Sequence, residues 1–188
     1  MRFGYFVPQG WRLDLVGIDP ADQWQVMRDL AQRADNGPWE SIWVYDHFHT
    51  VPAPSEEATH EAWSLVSAFA AVTERVRIGQ MCTAMAYRNP AYLAKVAATA
   101  DIISGGRIEM GIGGGWYEHE WRAYGYGFPS AGERSGVSTK AYRSSSRRGP
   151  TASRPSTAST TRSMEQSVAH FRCRRVVSRY GSQEAARR

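Results

Sequence analysis

The stretch RIEMGIGGGWYEHEW, residues 107–121, decides how this chain is read. Its first six residues are an apolar-rich run of strand length, and three glycines end it. A dinucleotide fingerprint needs G-x-G-x-x-G. Gly111 and Gly113 begin that pattern, but Trp116 stands at its last glycine position. A phosphate-binding P-loop needs Gly-Lys-Ser/Thr, and no lysine is present here. Two readings remain open. The glycines are a turn that passes a strand into a helix, or they are a floor for a flat ligand, because glycine permits close backbone approach.

Working outward, strands and helices alternate. RFGYFV (2–7) reads as a buried strand stopped by Pro8. Asp19 then caps a helix that starts with Pro20, a residue suited to the first helical position because no N–H partner is needed there. Trp24, Met27, Leu30, Ala31 and Ala34 form its expected apolar face. SIWVY (41–45) is the second strand. Glu61–Thr73 is the second helix, with Ala62, Leu65, Val66, Phe69 and Val72 on one side. VRIGQMCTA (76–84) is the third strand. Asn89 and Pro90 open a third helix that Gly105 and Gly106 stop, and residues 107–112 form the fourth strand. Strand starts lie about 30–40 residues apart, which suits parallel βαβ units. That spacing alone does not separate a doubly wound sheet from an eightfold barrel. A complete barrel takes about 250 residues, so 188 residues supply only a first half.

The charge is divided unevenly. Residues 1–134 carry 11 Lys+Arg against 16 Asp+Glu, whereas 135–188 carry 12 against 2, and all seven tryptophans precede residue 122. The expected division is therefore a partial barrel over 1–134 and a low-complexity, disordered basic tail over 135–188. There is no run of eighteen apolar residues and no signal-peptide pattern, so no membrane span is expected and a cytoplasmic protein is the default. Cys82 and Cys173 make no disulfide framework.

The strongest chemical signal is YDHFHT (45–50). Asp46 and His47 lie just past the C-terminal end of the second strand, where parallel α/β folds gather ligands. A histidine there can move a proton near neutral pH, and a neighbouring carboxylate can orient it or hold a ligand. The plain reading is a structural turn histidine with Asp46 as a cap. His47, His49, Glu118, His119 and Glu120 raise the question of a metal. No H-E-x-x-H spacing occurs, and the residues around His119 read as a solvated helix face, so no metal is expected. Cys82, alone in a strand, reads as a small buried residue. Trp11, Trp43, Trp63, Trp116 and Tyr117 read as core rather than as a ligand cage, with Trp116 the exception because it follows the glycines.

Four stretches carry a resemblance: MRFGYFVPQG, WVYDHFHT, RIGQMCTAMAYRNPAYLAKVAATADIISGGRIEMGIGGGWYEHEW and YGYGFPSAGER. Residues 1–134 resemble the luciferase-like monooxygenases, specifically the branch that uses the deazaflavin coenzyme F420. The resemblance implies an α/β fold, the first half of a (β/α)8 TIM-type barrel (strands 1–4 with their helices), with the cofactor at the C-terminal mouth. It implies hydride transfer between reduced F420, or alternatively FMN, and a small organic substrate. By the same resemblance His47 is the proton-handling catalytic residue and Asp46 contacts the cofactor. Met81 and Cys82 match the place where the family often has a non-prolyl cis peptide behind the ring. Gly113, Gly114 and Gly115 match the strand-4 loop of that pocket.

Family members continue with strands 5–8 and a glycine-rich phosphate-binding segment, and from Ser135 the resemblance stops. Arg, Ser, Ala, Pro and Thr are what GC-rich coding sequence yields out of frame, so a frameshift near codon 134 is the expectation. Translating the other frames tests it. A half barrel with open edge strands is expected to bind cofactor weakly and to be inactive alone. A second copy closing the barrel as a homo-oligomer is the assembly this geometry allows. The alternative reading is a non-enzymatic half-barrel module whose basic tail contacts nucleic acid. It is disfavoured because the tail has no aromatic interleaving and no recognised fold.

Overall fold

The computed structural model describes residues 1–134 and residue 136, and the readings made of the basic tail lie outside them. Four strands form one parallel sheet in the order β1-β2-β3-β4: β1 Gly4–Phe6, β2 Ser41–Val44, β3 Arg77–Ala84 and β4 Ile108–Gly113. Helices α1 (Pro20–Asp35), α2 (Ala62–Val72) and α3 (Pro90–Ile103) connect them, and a short α4 (Glu118–Ala123) follows β4. Parallel neighbours taken in chain order, each joined by a helix, make the first half of a (β/α)8 barrel. No helix among the described residues is long and apolar enough to cross a membrane.

The capping chemistry explains where the helices begin. The Asp19 carboxylate accepts the Ala21 N–H at 2.9 Å, and Asn89 Oδ1 accepts the Ala91 N–H at 2.9 Å, with proline next in each case. Gly105 and Gly106 end α3 at φ +66° and +88°, a conformation costly for other residues. β1 is shorter than residues 2–7, yet its ladder reaches further. Glu40 N–H donates to the Phe3 carbonyl and Val7 N–H to the Trp43 carbonyl.

The core lies between the sheet and α1–α3. Ile42, Val44 and Ile78 from the strands meet Met27, Ala31, Val66, Phe69, Leu93 and Ala97 from the helices. Each large side chain fully buried here contributes about 1.5–3 kcal/mol. Two of the expected helix faces are corrected. On α1, Trp24 is exposed and Gln23 is buried instead, because its amide reaches the Ile18 carbonyl and its Oε1 pairs with His60 Nε2 at 2.7 Å. On α2, Trp63 is buried as well and Val72 only partly.

The opposite face of the sheet, the concave one, is glycine-rich for a packing reason. The Trp43 indole lies across it. A Cβ at Gly4 would come within 2.6 Å of Trp43 Nε1, and one at Gly79 within 2.5 Å of its Cζ3. Trp43 Nε1 donates to Ser41 Oγ at 2.8 Å, which fixes the ring over three strands. At the N-terminal end of the strands, Arg107 donates to the carbonyls of Ala70, Thr73, Val76 and Ser104. It thereby satisfies the orphan carbonyls at the ends of α2 and α3.

Candidate functional site

The polar side chains that the fold draws together sit at the other end, past the C-termini of the strands. The Gln9 side chain closes the first gap. It follows β1, is buried, donates to the Tyr45 and His60 carbonyls at 2.6 and 2.7 Å, and accepts the Tyr45 N–H at 2.8 Å. This ties the ends of β1 and β2 to the segment entering α2.

Asp46, next after Tyr45, is 3% exposed. Arg88 grips it with two hydrogen bonds of 2.6 and 2.7 Å, and Ala84 N–H donates to the same carboxylate at 2.7 Å. Arg88 also donates to Glu61 at 2.5 Å. Burial lifts the Asp46 carboxyl above the ordinary carboxylate value, although Arg88 and the Ala84 N–H pull the other way. Burial also opposes the Arg88 charge, but Asp46 and Glu61 outweigh it and hold its pKa above the arginine norm. Two guanidinium N–H groups and a backbone N–H aimed at its two oxygens favour the ionised form, so Asp46 and Arg88 form an ion pair. Both Asp46 oxygens are spent within the chain, fastening β2 to the end of β3 and the start of α3.

His47 points elsewhere. Its ring lies flat on Trp11, 4.4 Å between centroids and 1° between planes, with Trp116 and Tyr117 edge-on at 5.8 and 6.2 Å. Trp11 in turn touches Tyr45, which stacks on Phe6. A column of aromatic rings therefore runs from β1 up to the imidazole. His47 Nδ1 is 2.9 Å from Glu120 Oε2.

Glu120 entered the sequence reading only in a rejected metal set, and its place as the partner of His47 was missed. The acidic segment 118–120 does start a helix, but it is not the solvated face expected: Glu120 and Trp121 are buried. Glu120 accepts the N–H groups of Phe48 and His49 at 2.8 and 2.9 Å and the Tyr87 hydroxyl at 3.0 Å. Burial raises its pKa, and the bonds from His47 and the two N–H groups more than reverse this, so the carboxyl sits below its ordinary value.

The Met81–Cys82 peptide is cis, at the point where the β3–β4 register shifts between Gln80 and Thr83. Met81 is exposed, and a Cβ at Gly113 would lie 3.1 Å from Cys82 Cβ. Burial raises the Cys82 thiol pKa. Gly115 has φ +74°, and its Cβ would strike the Trp121 indole at 2.6 Å. Gly113 and Gly115 are thus both crowded by neighbours, and Gly114 lies between them at the strand end. Gly113 therefore packs on Cys82, and Gly115 packs on the indole that follows it. Beside the His47 ring, Arg12, Leu13, Val51, Pro52, Trp116 and Tyr117 line a cavity of about 550 Å³. Among the described residues, no three His, Cys, Asp or Glu side chains gather into a metal site.

The chain is 36% identical over 113 residues to an F420-dependent glucose-6-phosphate dehydrogenase of Amycolatopsis mediterranei (strain U-32), covering 57% of this chain and 33% of that protein. It is 33% identical over 143 residues to the oxygenase component of a flavin-dependent trigonelline monooxygenase of Acinetobacter baylyi (strain ATCC 33305 / BD413 / ADP1), covering 71% and 36%. A solved F420-dependent secondary alcohol dehydrogenase, in complex with an F420–acetone adduct, superposes with TM-score 0.61 at 26% identity over 76% of this chain and 40% of its own. The chain thus spans about a third of the curated relatives' length. The family model described as luciferase-like monooxygenase matches residues 1–152. With most of its length inside that match, the chain belongs to the luciferase-like monooxygenase family.

Proposed function

We propose that this chain provides the N-terminal half of the site of an F420-dependent oxidoreductase, with FMN the alternative coenzyme, acting on a small organic molecule. One observation carries the reading: His47, just past the C-terminal end of β2, is held by a stacked indole and a buried carboxylate. The ring coenzyme, when bound, supplies hydride transfer. The residues do the rest. Met81, Cys82 and Gly113–Gly115 offer the ring a close backing. His47 gives or takes a proton at Nε2, the nitrogen that makes no hydrogen bond among the described residues. Asp46 acts one step back, locking Arg88 and the end of β3. The cavity beside Trp116 and Tyr117 receives the organic substrate, with Arg12 on its wall.

The test is an anaerobic fluorescence titration of the protein with F420, FMN and the corresponding bare ring compounds. These residues back the ring rather than the phosphates. The expected result is weak but saturable quenching in which the bare ring performs about as well as the whole coenzyme, abolished in Gly113→Trp. No saturation by any ring compound, or quenching unchanged by Gly113→Trp, overturns the proposal.

A further inference from the structure

We infer that Glu120 is a positioning residue that fixes His47 in one tautomer, with the proton on Nδ1 and Nε2 left bare as the working acceptor. Donors and lone pairs at the carboxylate match in number. An ionised carboxylate offers about four lone-pair positions on two oxygens. Glu120 meets four partners: Phe48 N–H, His49 N–H, Tyr87 O–H and His47 Nδ1. The two backbone groups can only donate. The Glu120 side chain has no exposed surface, so no water completes the set. A buried carboxylate with this many donors stays ionised, and the nitrogen facing it at 2.9 Å must then carry the hydrogen. The other nitrogen of a neutral ring is consequently an acceptor, since each tautomer is set by the bond its partner nitrogen makes.

The same carboxylate also shapes the loop it serves. By holding the N–H groups of Phe48 and His49 it fixes the backbone immediately after His47, while Trp11 fixes the plane of the ring. Segments that follow three strands therefore meet at one imidazole: His47 after β2, Trp11 in the loop after β1, and Glu120 in α4 after β4. Tyr87, which precedes α3, braces the carboxylate from the fourth side. No other charged group is bonded to the imidazole among the described residues. The positioning role rests on His47 being the proton-handling group proposed above. The tautomer itself does not.

The test is long-range ¹H–¹⁵N NMR on the histidine-labelled protein, above the pH at which its imidazoles titrate, with the His47 signals assigned by their loss in His47→Asn. In the unaltered protein Nδ1 should give the protonated, pyrrole-type nitrogen signal and Nε2 the bare, pyridine-type one. Glu120→Gln should invert them. The amide oxygen stays with the Phe48 and His49 N–H groups, so the NH₂ faces Nδ1 and forces it to accept. Tyr87→Phe, which removes a donor without touching His47, should leave the tautomer as it was. A bare Nδ1 in the unaltered protein overturns the inference, whether or not the Gln variant folds. So does a folded Glu120→Gln protein with unchanged signals. The expected tautomers together with no binding of any ring compound would keep this assignment and remove only the proposed coenzyme reaction.

Discussion

The imidazole of His47 and the indole of Trp11 lie parallel to within 1°, with their centroids 4.4 Å apart. The contact makes the loop after β1 a structural partner of the loop after β2, and leaves the imidazole one covered face and one hydrogen-bonded edge. Trp11 is buried although it lies in a loop, so its loss is a core loss. Trp11→Ala should cost about 3–5 kcal/mol in urea unfolding, the usual price for a buried aromatic. Trp11→Phe, which keeps a ring under His47, should cost much less. Equal losses would show that the stack has no special standing.

Arg88 is the second sensitive point. Its removal leaves the Asp46 carboxylate buried and unpaired, which typically costs about 3–5 kcal/mol. Arg88→Ala should lower the urea midpoint accordingly. Adding Asp46→Asn to Arg88→Ala should recover part of the loss, because the stranded charge is then gone. A double variant less stable than Arg88→Ala would contradict this account.

Gly115 can be compared with Gly105. Both have positive φ, but only Gly115 lies against a neighbour, the Trp121 indole. Gly105→Ala should cost about 1 kcal/mol for backbone conformation alone. Gly115→Ala should cost about 1–3 kcal/mol more, because the indole must move, and should alter the near-ultraviolet circular dichroism. Similar costs at the two sites would show that Trp121 yields freely.

Acid should loosen the loop after β2. The Glu120 carboxyl is held below its ordinary value in the folded chain. A lowered carboxylate pKa contributes stability that is complete above the unfolded value, about 4.3 for Glu. That stability is lost as pH falls through the folded value. Unfolding free energy should therefore decline on acidification below about pH 5, with a shallower decline in Glu120→Gln. Parallel pH profiles for the two proteins would rule this contribution out. Glu61 and Asp35, also lowered, act in the same direction in both proteins and cancel in the comparison.

Much of the frame was legible because it rests on local chemistry. Asp19–Pro20 and Asn89–Pro90 announce helix starts by themselves, and Gly105–Gly106 announce an end. Asp46 and His47 stood out because they follow a strand. Glu120 did not, since in the sequence it is one acid among neighbours on a short helix. Its meaning comes from Phe48 and His49, more than seventy residues earlier, which no local pattern connects to it. Gln23 was missed for a related reason: a polar side chain buried on a helix is recognised only by its distant partner, here His60. The concave face shows the same limit. Gly79 is one more residue of the third strand in the sequence, and only the Trp43 ring, which occupies the space its side chain would take, explains it.

That indole ties positions 4, 43 and 79 to one another. An alanine at either glycine would have to arrive with a smaller residue at 43, and a smaller residue at 43 would leave both strands with a hollow to fill. Single steps along either route are penalised, so the three positions are expected to vary together among descendants of this fold or not at all. They lie on three different strands, so one side chain sets how closely β1, β2 and β3 can be lined on that face.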